Sequence, residues 1–557
     1  MRVRNASYPS PCLLLATMLA ALALPLSIGA QTTTTPEYTI QTRVPLTIVD
    51  VTVADAHGSP VHDLKQSDFT LLEDGHPLTL NSFEEHRNDL PTPALVTTPA
   101  QPPDTFTNAP PTPASNHPVN ILLLDNLNTP LSNQRILQQR LLTFVDKLPP
   151  HTLVAVFSLS EFHLSVLQQF TSDHELLKAA INNPKITGQI PPIEDLWQDQ
   201  MNLMQETSDP EEEECNHAAL RAQDSLAAMK QIARALEGMP GRKNLLWFSG
   251  SFPLQMEAHA TTCYDVTQDV QAADDLLGRA HVIVYPADPR AMDAMTEQLP
   301  HQPAVVRRQS VEHLTQEAIA EQTGGKAFYN NNDLAAFAAE AVNAGANFYT
   351  LTYAPTNQTL DTRFRTIAVK VDQPSLHLVY RPGYYAVDPA SPLPGKAADT
   401  RTPMQSALLP GSLEPTQILF SIHAIQSPAT DSTLPPDNSS SKQMKPPYRR
   451  ITLSYRIDIH GIDFQQSLDN NYRANFEYTA VLYNADSDAV LNTTSKTINP
   501  VLPPAVFYSM LQRGANAQQQ IDIPATGDYV LRIAVHDLTT DHVGAIEIPT
   551  ASLASTN

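Results

Sequence analysis

Val119-Asn120-Ile121-Leu122-Leu123-Leu124-Asp125 is apolar at five of its seven positions and ends on a carboxylate. It is too short for a helix and apolar at both alternating faces. Such a run is a strand covered on both sides. Asn244–Phe248 and His281–Tyr285 repeat the pattern further along the chain. Helical spacing fills the intervals. Over 132–148, Leu137, Leu141, Phe144 and Leu148 recur at steps of four, three and four. Over 216–237, Ala219, Ala222, Leu226, Met229, Ala233 and Leu236 do the same, until Gly238-Met239-Pro240-Gly241 stops the helix. Further helices fit 265–280, 311–322 and 332–344. Leu153–Leu159 and Leu164–Phe170 are too close for a parallel crossover and predict a hairpin. Asn347–Tyr353 is expected to add another strand, and Thr366–Val371 and Leu376–Tyr380 to extend the same unit. Strands alternating with helices predict a central α/β domain over 119–386, doubly wound and Rossmann-like, with a mostly parallel sheet.

The flanks have another character. Residues 38–88 predict a small β domain of Ig-like type. Val44, Leu46 and Ile48 alternate there, then Val49, Val51 and Val53 alternate with the parity flipped, which suggests a bulge. Residues 89–118 hold nine prolines and are expected to be a linker without a core. Residues 387–412 are expected to be a second linker. Residues 413–551 carry short alternating strands between Asp, Asn and Gly turns and predict a β-sandwich, with 427–447 as a Ser/Pro/Lys loop.

The first 30 residues predict a secretory signal. Arg2 and Arg4 precede an apolar stretch, Leu13–Leu26, and small residues lead to a cleavage point at Ala30. The run is short for a membrane anchor, and Cys12 precedes it, unlike a lipoprotein signal. No later segment is apolar enough to span a bilayer, so no integral membrane segment is expected after cleavage. The expected location is therefore periplasmic, cell-surface or secreted. Cys215 and Cys263 remain, and an even pair in an oxidising compartment predicts one disulfide. The formal charge is −23, or −25 once Arg2 and Arg4 leave. Such a chain lacks the basic surface that nucleic acid or anionic lipid requires. It suits basic partners or divalent cations.

Residues 119–385 resemble a von Willebrand factor A (VWA) domain. More specifically, the mature chain resembles the exported VWA-related proteins abundant in Acidobacteria. The residues that carry this are Asn120 to Thr129, Gly241 to Gly250, Val284 to Arg290 and Leu314 to Gly325, together with Asp68-Phe69 and Glu73-Asp74-Gly75. The resemblance implies a site at the C-terminal edge of the sheet, where many VWA domains hold a divalent cation. The family pattern there is Asp-x-Ser-x-Ser, a Thr from a second loop and an Asp after the fourth strand. Asp125 matches the first position and Thr129 the third. Leu127 stands at the second, Ser249 replaces the last Asp, and Thr207 is a vague candidate for the loop Thr. Asp125, Thr129 and Ser249 are thus the candidate ligands for Mg2+ or Ca2+, which want oxygen donors. The alternative is structural: Asp125 accepts backbone N–H bonds, and Thr129-Pro130 opens a helix. Asn126, Asn128, Ser251 and Asp288 border the same surface. No resident cofactor is expected.

Nine carboxylates fall between Glu194 and Glu214, ending in the unbroken run Glu211–Glu214 before the helix expected near Asn216. Negative charge there suits a helix N-terminus, and EF-hand spacing is absent. No Gly-x-Ser-x-Gly elbow, His-Glu-x-x-His helix or phosphate loop occurs, and no catalytic residue is assigned. The expected function is that of an exported, non-enzymatic protein-binding, scaffold or adhesion protein with an extracytoplasmic protein partner. The alternatives are a metal-dependent adhesin using Asp125 and Thr129, and a secreted hydrolase with an unrecognised site.

Overall fold

Every residue of Val119–Asp125 is buried, as the unbroken apolar run requires. In the computed structural model this strand, β1, is the middle of a five-stranded sheet. The structure describes residues 46–87, 102, 104–109, 118–160, 163–183, 210–250, 252, 255–258, 261–289, 303–329, 333–387, 401–485, 487 and 489–553. The other strands of the central sheet are β2 (Val154–Ser160), β3 (His163–Thr171), β4 (Lys243–Phe248) and β5 (Val282–Ala287), in the order β5-β4-β1-β2-β3. All pairs are parallel except the β2–β3 hairpin.

Helices cover both faces. They are α1 (Leu131–Asp146), α2 (His174–Ile181), α3 (Pro210–Leu236), α4 (Thr267–Arg279), α5 (Pro303–Thr323) and α6 (Leu334–Ala346). Side-chain alternation along the strands sorts the two cores. Ile121, Leu123 and Trp247 face α3 and α4, meeting Leu226, Met229 and Leu277. Leu122, Leu124 and Phe248 face α1, α2 and α6, meeting Leu141, Leu177 and Phe337. The long helix α3 begins six residues before the expected Asn216, so the backbone of Glu211–Glu214 forms its first turn. Among the described residues, no helix is long and apolar enough to cross a membrane.

Five of the 27 strands among the described residues make this sheet. The remaining strand pairs are antiparallel, and strand outweighs helix among the described residues. Doubly wound α/β architecture therefore does not describe the molecule as a whole.

The strand Phe348–Tyr353, expected in the central sheet, lies between Thr47–Ala54 and Leu80–His86 instead. Phe364–Val371 pairs with Phe69–Glu73, and His377–Val379 with the end of Thr47–Ala54. Two four-stranded sheets thus face each other, with Val49, Val51, Val53, Leu71, Tyr349 and Leu351 between them. The reason is size: about fifty residues bury too little surface to hold a core alone. The parity flip has a simple origin. The regular strand begins at Thr47 and follows the Val49-Val51-Val53 phase, while Leu46 is exposed.

The C-terminal part is a sandwich of a four-stranded and a five-stranded sheet around Ile451, Leu453, Leu482 and Ile533. Its four-stranded sheet ends on Thr105–Thr107, a strand from the proline-rich stretch that was expected to be a linker without a core. Asn108 fixes it there. Its Nδ2 donates to the carbonyls of Pro415 and Ile418, and its Oδ1 accepts from Phe420 N, each at 2.9 Å. Residues 427–447 are not a plain loop either. The strand Phe420–Asp431 enters them, and Asn438–Ser440 pairs with Val490–Ile498. Part of the second expected linker is ordered as α7 (Pro403–Ala407), opened by a Thr402/Gln405 capping box. One further helix, α8 (Pro504–Arg513), lies on the sandwich with no fully buried residue.

Residues 408–418 join the α/β part to this sandwich. Thr416 Oγ1 donates to Ala235 O at 2.6 Å, Gln417 Nε2 to Glu237 at 2.7 Å, and Val166 N to Gly411 O at 3.2 Å.

Candidate functional site

Parallel strands bring their C-terminal ends to one edge, and an α/β sheet binds ligands beyond that edge. Asp125 ends β1, Ser249 follows β4, and Asp288 follows β5. All three are buried, at 1%, 0% and 3% exposure. Asp125 Oδ1 accepts from Asn128 N at 3.0 Å. Its Oδ2 accepts from Asn128 Nδ2 at 2.8 Å and from the Trp247 indole at 3.1 Å. The Ser249 hydroxyl also hydrogen-bonds this carboxylate. A carboxylate offers about four lone-pair sites, so four protein donors fill them.

The surrounding groups are equally engaged. Asn128 Nδ2 also reaches Ser225 Oγ on α3 at 2.8 Å, and Ser225 donates to Arg221 O. Thr129 Oγ1 accepts from Gly250 N at 3.1 Å. Gly250 must be glycine here, because a Cβ would stand 2.8 Å from Asn128 O. Gln134 Nε2 on α1 ties down the carbonyls of Asn126 and Thr129, and Asn126 Nδ2 donates to Ser158. From α5, Gln316 Nε2 donates to Ser249 O at 3.1 Å. His313 Nε2 lies 3.0 Å from Asp288 Oδ2, with its ring stacked on Tyr329.

The predicted residues Asp125, Asn126, Asn128, Thr129 and Ser249 are thus brought together, and Asp288 joins the same edge through α5. Ser251 and Thr207 lie outside the described residues, as do Ala30, the whole predicted signal and the acidic stretch before α3. Cys215 is buried on α3. The backbone of Cys263 is in the strand Thr261–Asp265, and its side chain lies outside the described residues. Trp247, Ser225, Gln134, Gln316 and His313 were not read from the sequence. Trp247 could have been found, since an indole N–H inside an apolar strand needs an acceptor.

This donor set does not fit a divalent ion. The carboxylate oxygens and Thr129 Oγ1 are already occupied by N–H and O–H donors. Leu127, where a second oxygen belongs, is buried and apolar. Among the described residues, no three His, Cys, Asp or Glu side chains converge as ligands. Two amide oxygens, Gln134 Oε1 and Gln316 Oε1, are buried without a partner.

Burial raises the Asp125 carboxyl above its ordinary value, against the opposing pull of Asn128, Ser249 and Trp247. A raised folded value means that the contribution to stability is full below the unfolded value of 3.8 and is lost as pH rises through the folded value. Acidification through the folded value towards 3.8 therefore stabilises the native chain through this group. Asp125→Asn removes that contribution. By differential scanning fluorimetry, the Tm of wild type is expected to rise relative to that of the variant as pH falls. A constant difference contradicts the assignment.

No protein-family model matches the chain, and no curated protein matches it. Solved structures do. The VWA domain of SpRpn10 is 9% identical, with 39% of this chain and 92% of that chain covered and a TM-score of 0.19. A von Willebrand factor type A protein from Catenulispora acidiphila is 8% identical over 87% of this chain and 74% of its own, with a TM-score of 0.23. The human COPII-coat protein Sec24c is 10% identical over 49% and 44%, with a TM-score of 0.22. Scores this low align no site residues. The central sheet has a parallel core with β1 in the middle and helices on both faces.

Proposed function

We propose that the chain is an exported binding or scaffold protein that recognises a protein partner at the C-terminal edge of its VWA-like sheet, without a metal ion and without catalysis. One observation carries this reading: the four donors on Asp125. A carboxylate filled by its own fold shapes a fixed surface instead of waiting for a cation to complete it. Export rests on the leader ahead of Ala30. Kinship with the exported VWA-related proteins of Acidobacteria belongs to the same proposal and rests on the motifs around Asp125, Gly241 and Asp288. So does a Cys215–Cys263 disulfide. Its support is the Cys215 sulfur, bonded rather than free, and the packing of α3 on the strand that contains Cys263.

The metal-dependent alternative draws on the two buried amide oxygens of Gln134 and Gln316. Calorimetry with Mg2+ and Ca2+ separates the two readings. No saturable heat is expected from either ion at millimolar concentration, and a partner captured from the native envelope fraction is expected to stay bound in EDTA. Saturable binding that Asp125→Ala abolishes, or release of the partner by EDTA, overturns the metal-free reading.

A further inference from the structure

An open cleft of about 400 Å3 lies on the C-terminal sandwich, far in sequence from Asp125. Ligand pockets span roughly 300–1,000 Å3. The C-terminal end of α8, the end of the strand Tyr448–Ile457 and the edge strand Thr105–Thr107 line it. Arg456, Arg513, Asp458 and the His460 ring line it, and Leu419 and Leu511 are its apolar wall. Asp458 is engaged locally, by the backbone N–H and the ring Nδ1 of His460. Arg456 Nε donates to the carbonyl of Arg513 at 3.0 Å, which holds both arginines at one end of the cleft. Among the described residues neither forms an ion pair with a carboxylate.

That is unusual in a chain with 58 acidic and 35 basic side chains. Most of the other arginines on this sandwich are committed. Arg450 pairs with Asp522, Arg473 with Asp469, and Arg532 with Glu547. Guanidinium groups present planar donors that match a carboxylate two-point fashion. The adjoining leucines offer an apolar surface to whatever the carboxylate carries.

We propose that this cleft binds a carboxylate bearing an apolar group, with the carboxylate on Arg456 and Arg513 and the apolar group against Leu419 and Leu511. Two sources have that chemistry: a free amphiphilic acid, and the C-terminal residue of a peptide lying along Thr105–Thr107.

Calorimetry on the full chain tests this with N-acetyl-leucine and acetyl-Ala-Ala-Ala-Leu, each as the acid and as the C-terminal amide. Both acids are expected to bind, and each amide to bind at least about tenfold more weakly. A peptide acid that binds more tightly than N-acetyl-leucine identifies a peptide terminus as the source. Equal affinities identify the free acid. Arg513→Gln is expected to weaken the acids about tenfold or more. Arg513 is exposed, so an unchanged Tm confirms that the variant is folded. Arg456→Gln should act in the same direction. Equal affinity for acid and amide, no binding of either acid at millimolar concentration, or full affinity in the Arg513→Gln variant overturns the proposal.

Discussion

Arg532→Leu lowers the stability of the chain by about 3–5 kcal/mol, the cost of removing one partner from a buried charged network. Arg532 is 1% exposed. Its Nε donates to Ala407 O at 2.7 Å, and one terminal nitrogen donates to Ser412 O, Ser412 Oγ and Leu413 O at 2.5–3.0 Å. The other terminal nitrogen lies 3.4 Å from Glu547, whose carboxylate accepts from Gly411 N at 2.7 Å. One side chain from the outer face of a sandwich strand, opposite the core residues Leu531 and Ile533, therefore holds the incoming segment 407–413. Leucine fills part of the volume and leaves three carbonyls without their donor. Urea denaturation measures the loss. Hydrogen exchange should also quicken at Val166 N, whose acceptor is Gly411 O. A loss under about 1 kcal/mol means that water replaces the guanidinium and the segment is held elsewhere.

Trp247→Ala costs about 3–5 kcal/mol, the range for emptying a large aromatic site in a packed core. The side chain is fully buried and meets Phe252 edge to face with ring centroids 5.4 Å apart. Trp247→Phe separates volume from hydrogen bonding. It keeps a ring but removes the donor to Asp125 Oδ2, and about 1–3 kcal/mol is expected for that orphaned charge. Urea denaturation of the two variants gives both values. Phenylalanine that costs nothing shows that the indole N–H is dispensable to the Asp125 cluster.

Much of the central sheet was legible because its information is local. Val119–Asp125, Asn244–Phe248 and His281–Tyr285 announce two-sided burial by their own composition. The hairpin follows from the short link after Ser160. Pairing partners are not local, and that is where expectation and structure part. Phe348–Tyr353 reads as a buried strand wherever it sits, and nothing within it names Val49 and Val51 as its neighbours. Thr105–Thr107 has no apolar pattern to betray it, since Asn108 and backbone bonds hold it. The helix α8 was not read from the sequence, and proline at its first helical position starts it. The site divides in the same way. Asp125 and Thr129 announce themselves at a strand end. Trp247 reaches Asp125 only through the β1–β4 register, in which Leu123 stands beside it.

The register Thr47↔Tyr353 closes a span of 306 residues. As the chain emerges from its N-terminus, the strands of the first sandwich wait for most of the α/β part before their partners exist. Such long-range closure gives a high contact order and slow folding. In the interval, the Val49-Val51-Val53 face and the unpaired edges around it are exposed to other chains. The last of the three parts to be made also reaches back, because its sheet recruits Thr105–Thr107. Assembly is therefore not a sequence of finished modules. The first outer part is sewn shut only after the α/β part has been made, and the second only when the chain is nearly complete, so a truncated product would present open β edges.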